Sequence, residues 1–278
     1  MCMFSGRAAV SETRIFARRD GPDRQIVVYA MSLEADADVA MVLPLPVRIG
    51  SAEDAVEFVD LAAYPTFFED LELGFPLGDL PGTDLLDVPS FFLSMPSKLP
   101  VVKVGCLEAS FVPTIRDFGR LDPRFRMPAG TWDRLPVYQD YGFAVFKLKA
   151  GASTRHPMAF SFPTRHAAGL FFPTVHVHDG EVHDTAWFDH TLYAQVPMDL
   201  APDAGVWRRS IAPVTDVSVS DQPFSGGAML RLEGDPAFPI DVRRARGVVL
   251  GGEHCHRHQL AGQHPNRDTW LEATAPGR

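Results

Sequence analysis

The sequence contains few cysteines and no long apolar run. Its three cysteines, Cys2, Cys106 and Cys255, are too few and too widely spaced for a disulfide framework. No stretch approaches the roughly 18 apolar residues of a membrane-spanning helix, and the first residues lack the charged and apolar segments of a secretory signal. We therefore expect a cytoplasmic protein with reduced thiols and no membrane partner.

Basic residues are outnumbered, and the common nucleotide-binding motifs are missing. Lys and Arg total 26 against 35 Asp and Glu, which gives a net charge of −9. An acidic chain without a Lys/Arg cluster is not expected to bind nucleic acid. The sequence also has no G-x-S-x-G, phosphate loop, G-x-G-x-x-G or C-x-x-C motif. A small-molecule substrate is the expected partner, and the oligomeric state stays open.

The sequence is rich in short strand-like runs separated by turn signals. The apolar fraction of 46% and the charged fraction of 22% are ordinary for a globular protein. The runs predict an α+β fold that is mostly antiparallel sheet, arranged as a layered sheet or sandwich with two or three short helices. We assign residues 1–250 to a single β-rich domain and residues 251–278 to a polar, histidine-rich tail.

Three local patterns predict the helices. Ser51 with Asp54 is a capping box before an apolar run. Pro65 suits the first turn of a helix that continues through Leu71. Thr114 is a candidate cap for a short helix at 115–121.

The segment V-H-V-H-D-G-E-V-H-D, at 175–184, is the densest cluster of chemically active side chains. Asp179-Gly180 is typical of a type I′ turn, which needs positive φ at both central positions. Such a hairpin pairs His176 with His183. Because side chains alternate along a strand, one face then carries four polar groups. They are His176, His178, Glu181 and His183.

Three imidazoles and a carboxylate on one face are a donor set for a metal ion. Oxygen and nitrogen ligands suit Zn²⁺, Fe²⁺, Mn²⁺, Ni²⁺ or Cu²⁺, and His190 offers a further ligand from the next strand. The run from Gly169 to Glu181 resembles the first cupin motif in its H-x-H core, although both flanking spacings differ. This resemblance implies a metal-binding β protein or metalloenzyme. The other interpretation is the polar face of an amphipathic hairpin.

Cys2 becomes the N-terminal residue if Met1 is removed, and its own α-amino group then serves as a base. The Met-Cys start followed by I-F-A-R-R-D at 15–20 resembles choloylglycine hydrolases and related N-terminal-nucleophile amidohydrolases. The resemblance implies sheet layers of the N-terminal-nucleophile type. It also implies that Cys2 is the nucleophile, that Arg18 lies beside the thiolate and that Asp20 orients the amine or the leaving nitrogen. The family uses asparagines as oxyanion donors, whereas this chain has one asparagine, Asn266.

The sequence therefore supports two functional hypotheses, one enzymatic and one based on metal binding. The leading hypothesis is a cytoplasmic hydrolase of C–N amide bonds that needs no cofactor. The alternative is a metal-binding β protein that uses the His-x-His hairpin. A non-catalytic interaction domain is the third class that the sequence leaves open.

Overall fold

The computed structural model describes residues 3–75, 102–104, 107–154, 157–166, 168–196, 202–216 and 238–272. Cys2 and Cys106 lie outside these residues, as does the run M-L-R-L at 229–232, which predicts a strand. The strands follow in chain order: β1 Met3–Phe4, β2 Ala9–Arg19, β3 Arg24–Ala35, β4 Val39–Leu45, β5 Glu57–Asp60, β6 Val102–Val104, β7 Leu107–Val112, β8 Gly142–Leu148, β9 Gly151–Thr154, β10 Met158–Pro163, β11 Gly169–Phe172, β12 Thr185–Gln195, β13 Arg208–Arg209, β14 Val214–Asp216, β15 Phe238–Ile240, β16 His256–Pro265 and β17 Thr269–Glu272.

Two large sheets organise the fold. One has the strand order β1-β4-β8-β7-β6, and the other has the order β13-β16-β12-β2-β3-β10-β5, with β9 also on β3. Their pairings are antiparallel except between β2 and β12, where the two strands run parallel. The predicted class, α+β with mostly antiparallel sheet, is confirmed.

The second sheet is buried on both faces, which creates two cores. Ile15 and Ala17 of β2 pack into a core shared with the first sheet. The alternate residue, Phe16, points the other way, into a core with Phe67 and Val248. Because neighbouring side chains of one strand enter different cores, the face on which a residue of β2 lies decides which site it can join.

The helices are short. α1 spans Phe67–Glu72 and buries Phe67, Phe68 and Leu71. The predicted helix forms, but Pro65 lies before its N-cap Thr66 and not in its first turn. α2 spans Thr131–Arg134, and 3₁₀ turns occur at Ile115–Arg120, Pro123–Phe125 and Pro136–Tyr138. Within the described part of the chain, none of the helices is long and apolar enough to cross a membrane.

The helix predicted after Ser51 and Asp54 is wrong. Glu57–Asp60 is strand β5, in which Val59 pairs with Ala159 of β10. Phe58 packs edge-on against Phe146, with ring centroids 5.5 Å apart. Pairing with a distant strand has overridden the local capping signal.

The hairpin predicted around Asp179-Gly180 does not form. Gly180 has φ 89°, but Asp179 is not among the residues with positive φ, so the type I′ turn fails. Between Phe172 and Thr185 the chain forms only one isolated bridge, in which Val177 pairs in parallel with Met3. The opposed pair His176/His183 is therefore absent. Its four-residue face does not form.

The segment after residue 250 differs from the expected tail. His256–Pro265 forms β16, which pairs with β12 along ten positions from Ala194 to Thr185. Thr269–Glu272 forms β17 and pairs with β11. These residues belong to the sheets because β12 and β11 supply ladder partners that the polar local sequence does not reveal.

Candidate functional site

The histidine segment is held by a carboxylate. Asp268 Oδ1 accepts hydrogen bonds from the backbone N–H groups of Thr174 (2.8 Å) and Val175 (3.1 Å). Its Oδ2 accepts a bond from the Tyr138 hydroxyl at 2.6 Å. Burial raises the pKa of Asp268 to about 6, and the three donors act against that rise. Asp268 thus fixes the chain directly before His176.

Asn266 holds the next part of the segment. Its side-chain oxygen accepts a bond from the His176 N–H (2.7 Å). Its amide nitrogen donates to the carbonyls of His176 (2.8 Å) and His183 (2.9 Å). Both amide protons are then used, so the single asparagine is not free to stabilise an oxyanion.

The start of the chain lies against the same segment. Phe4 N–H donates to the Val177 carbonyl at 2.9 Å, and Ala8 N–H donates to the His178 carbonyl at 3.1 Å. The Phe4 ring meets the His178 ring edge-on, with centroids 5.6 Å apart. The structure therefore brings the residues that follow Cys2 to the histidines, a relation that neither motif alone indicated.

Three imidazoles form a cluster here. The rings of His176 and His178 are nearly parallel, with centroids 5.1 Å apart, and the His190 ring lies 5.2 Å from that of His176. Phe188 contacts His176 with centroids 4.2 Å apart. The predicted partners Glu181 and His183 are not part of this cluster: Glu181 is exposed, and His183 Nε2 bonds Asp179 Oδ2 at 2.9 Å. We call His176, His178 and His190 the histidine cluster.

Burial favours the uncharged form of two members of the histidine cluster, His176 and His190. Burial lowers the pKa of His176 to about 2, with a smaller contribution from His178. Burial also holds the pKa of His190 far below its ordinary value. His176 is only 6% exposed, and its Nε2 has no hydrogen-bond partner among the described residues. Because a buried polar atom normally has a partner, this nitrogen is a candidate contact for a bound group.

A cleft of about 680 Å³ opens beside the histidine cluster. Its volume is within the range of small-molecule and cofactor sites. Its walls come from the starts of β2 and β12, the end of β3 and the segment 176–183. The residues that line it include Arg7, Ala8, Ala9, Glu34, Asp36, His176, Asp179, His183, Thr185 and Ala186.

The cleft exists because β2 and β12 part. Their parallel pairing begins at Thr13 with His190 and runs to Arg18 with Gln195. Before it, β2 has a bulge at which Glu12 takes φ 53°. The Asp189 carboxylate accepts a bond from Glu12 N–H at 2.9 Å and caps the point of separation.

Arg18 and Asp20 lie in a different environment. Arg18 shares the Phe16 face of β2, opposite the face that packs with Met3 and Phe4. Its guanidinium donates to the carbonyls of Val248 (2.6 Å) and Gly247 and forms a 3.6 Å ion pair with Asp20. These contacts give Arg18 a structural role at a distant loop and do not support the predicted place beside a thiolate.

Sequence reasoning missed several residues of the site. It named His190 only as an additional ligand, and it did not connect Asn266 or Asp268 with the histidines. Glu34 and Asp36 carried no motif. The remaining cysteine of the described part, Cys255, is fully buried, and burial raises its thiol pKa.

Comparisons with known proteins give a distant structural likeness only. No family model matches the chain, and no curated protein matches it. The crystal structure of baculovirus P35 matches with a TM-score of 0.46 and 12% identity, covering 99% of this chain and 100% of that chain. A mutated baculovirus P35 after caspase cleavage matches with a TM-score of 0.45 and 12% identity, covering 95% of this chain and 100% of that chain. A chain of the crystal structure of the caspase-8/P35 complex matches with a TM-score of 0.42 and 11% identity, covering 95% of this chain and 96% of that chain. No role is transferred to any residue here from a likeness this distant.

Proposed function

We propose that this chain is a hydrolase of C–N amide bonds that uses Cys2, exposed by removal of Met1, as its nucleophile. The observation that carries the proposal is the bridge between Met3 and Val177, which lies between His176 and His178. Consecutive Cα atoms are about 3.8 Å apart, so residue 2 is one peptide away from that bridge. A cytoplasmic setting would keep its thiol reduced.

The chemistry would be acyl transfer. The α-amino group of Cys2 takes the thiol proton, and the thiolate attacks the amide carbon. The C–N bond breaks, the amine leaves with a proton, and water hydrolyses the thioester. A pKa of about 2 makes His176 too weak a base for this proton transfer. The protonated α-amino group then gives the thiol proton to the leaving amine.

Two measurements test the nucleophile. Intact mass should show that Met1 is absent, and brief treatment with iodoacetamide near neutral pH should label Cys2 well before the buried Cys255. Cys2→Ala should abolish hydrolysis of amide substrates, while the matched variant Cys106→Ala retains it. Retention of Met1, or labelling of Cys2 no faster than Cys255, would overturn the proposal.

The metal-binding alternative stays a prediction. The histidine cluster and the orphaned Nε2 of His176 favour it. Against it, no three His, Cys, Asp or Glu side chains in the described part are placed to hold one ion, so we derive no reaction step through a metal. Elemental analysis of the purified protein tests it, with His176→Ala/His178→Ala as the variant that should lose any bound metal and its stabilisation.

A further inference from the structure

We propose that the cleft binds an extended peptide segment carrying a basic side chain, which adds as a strand between β2 and β12. This inference deepens the proposed function, since the bound segment would be the amide substrate. Binding itself requires main-chain and carboxylate groups of the cleft and does not require the thiol.

Two strand edges, at the starts of β2 and β12, line the cleft without being paired to each other. Extending the parallel register from Thr13/His190 would place Ala9 opposite Ala186 and Ala8 opposite Thr185. All four residues instead line the cleft. Ala8 N–H is taken by the His178 carbonyl, so the unpaired edge of β2 begins at Ala9. In the described part, Ala9–Ser11 pairs only with β3, and 185–189 pairs only with β16. Strand edges with free N–H and C=O groups are templates for an added strand.

The charged side chains of the cleft lining favour a basic ligand. Glu34 and Asp36 are exposed on the cleft wall, and neither has an ion-pair partner among the described residues. Asp179 adds a third carboxylate, which is shared with His183. Among the described residues of the lining, Arg7 is the only Lys or Arg. Because the carboxylates outnumber the guanidinium, a Lys or Arg side chain of the ligand would be favoured over an acidic one.

The unpartnered side-chain nitrogen of His176 is an independent sign of a ligand. His176 is one of the residues that line the cleft, and its buried Nε2 has no hydrogen-bond partner among the described residues. A polar group of a bound peptide that reached this nitrogen would satisfy it. The site therefore offers two strand edges, a carboxylate wall and a buried hydrogen-bonding atom to one elongated ligand.

The binding experiment uses the full chain with Cys2→Ala, so that nothing is cleaved. The probe is a fluorescein-labelled peptide of alternating Val and Lys, capped at both ends, and binding is read by anisotropy at low salt. We expect saturable binding. Methylating alternate backbone nitrogens of the peptide should weaken it about threefold to tenfold for each main-chain bond removed. The same peptide with Glu for Lys should not bind.

Matched variants test the carboxylate wall. Glu34→Gln/Asp36→Asn should weaken binding about tenfold, whereas Asp54→Asn/Asp133→Asn makes the same change of net charge outside the cleft lining and should leave it unchanged. Equal binding of the methylated and unmethylated peptides, or equal effects of the two double variants, would overturn the inference. If the peptide binds but protein with intact Cys2 never cleaves it, the inference holds and the hydrolase proposal fails. If small amides are cleaved but no peptide binds, the reverse is true.

Discussion

Asn266 pairs with the main chain of His176 as one strand residue pairs with another. Its oxygen accepts from the His176 N–H (2.7 Å), and its nitrogen donates to the His176 carbonyl (2.8 Å). A third bond reaches the His183 carbonyl (2.9 Å). One side chain thus takes the place of the missing hairpin partner and holds both ends of the irregular segment.

Replacing this side chain should loosen the segment. Asn266→Ala removes three hydrogen bonds, and we expect the free energy of unfolding to fall by about 2–3 kcal/mol. Asn266→Asp should not rescue stability, because a carboxylate cannot donate to the two carbonyls. Urea unfolding measures both. Gln263→Ala is the control: it removes one bond to the Thr185 hydroxyl at the surface and should change stability little. An unchanged midpoint for Asn266→Ala would contradict this role.

Asp268 should make stability depend on pH in the acidic range. Burial raises its folded pKa to about 6, above the ordinary 3.8. The folded state therefore binds this proton more tightly, and the resulting stabilisation is full below about pH 3.8 and lost as the pH rises through 6. Asp268→Asn has no such titration. We expect its unfolding free energy, relative to the unmodified protein, to increase between pH 4 and 7 by at most about 3 kcal/mol. A constant difference across this range would contradict the prediction.

His176 should affect the pH dependence of stability in the direction opposite to that of Asp268. Its pKa falls from 6.5 to about 2 on burial, so folding keeps it neutral. Its contribution is present above pH 6.5 and is lost as the pH falls, because the unfolded chain takes up the proton. His176→Gln should reduce the pH slope of stability below pH 6 by about 1.4 kcal/mol per pH unit. Phe188→Leu perturbs the neighbouring ring without removing a titrating group, so it should lower stability and keep the slope. Equal slopes for His176→Gln and the unmodified protein would show that this ring is protonated when folded.

Local sequence predicted the elements whose signals are strong and short-ranged. Pro65 and the apolar spacing of Phe67, Phe68 and Leu71 sufficed for α1. The runs at 13–17 and 25–31, separated by the turn signal at 20–23, predict two strands, and β2 and β3 extend these runs at both ends. Ser51 and Asp54 misled because an edge position on β10 outweighed a capping preference of about 1 kcal/mol.

The sequence predicted part of the candidate site. His176, His178 and His190 were all singled out in the sequence, and the structure brings them together. Glu181 and His183 were wrongly placed because a type I′ turn needs a positive φ at Asp179, which this residue does not adopt. The Asp179 carboxylate accepts from the Glu181 N–H at 3.0 Å and stabilises a different turn.

The sequence by itself determined that this chain is a sheet-rich α+β protein with an acidic balance, because composition and side-chain alternation act locally. Only the tertiary structure decided which strands pair, that 256–265 forms a strand beside β12, and that β2 and β12 part to leave a cleft. The physical reason is that ladder bonds join residues far apart in the chain: Thr13 meets His190, and His176 meets Asn266. Such pairings gain their free energy from partners that local propensity does not encode.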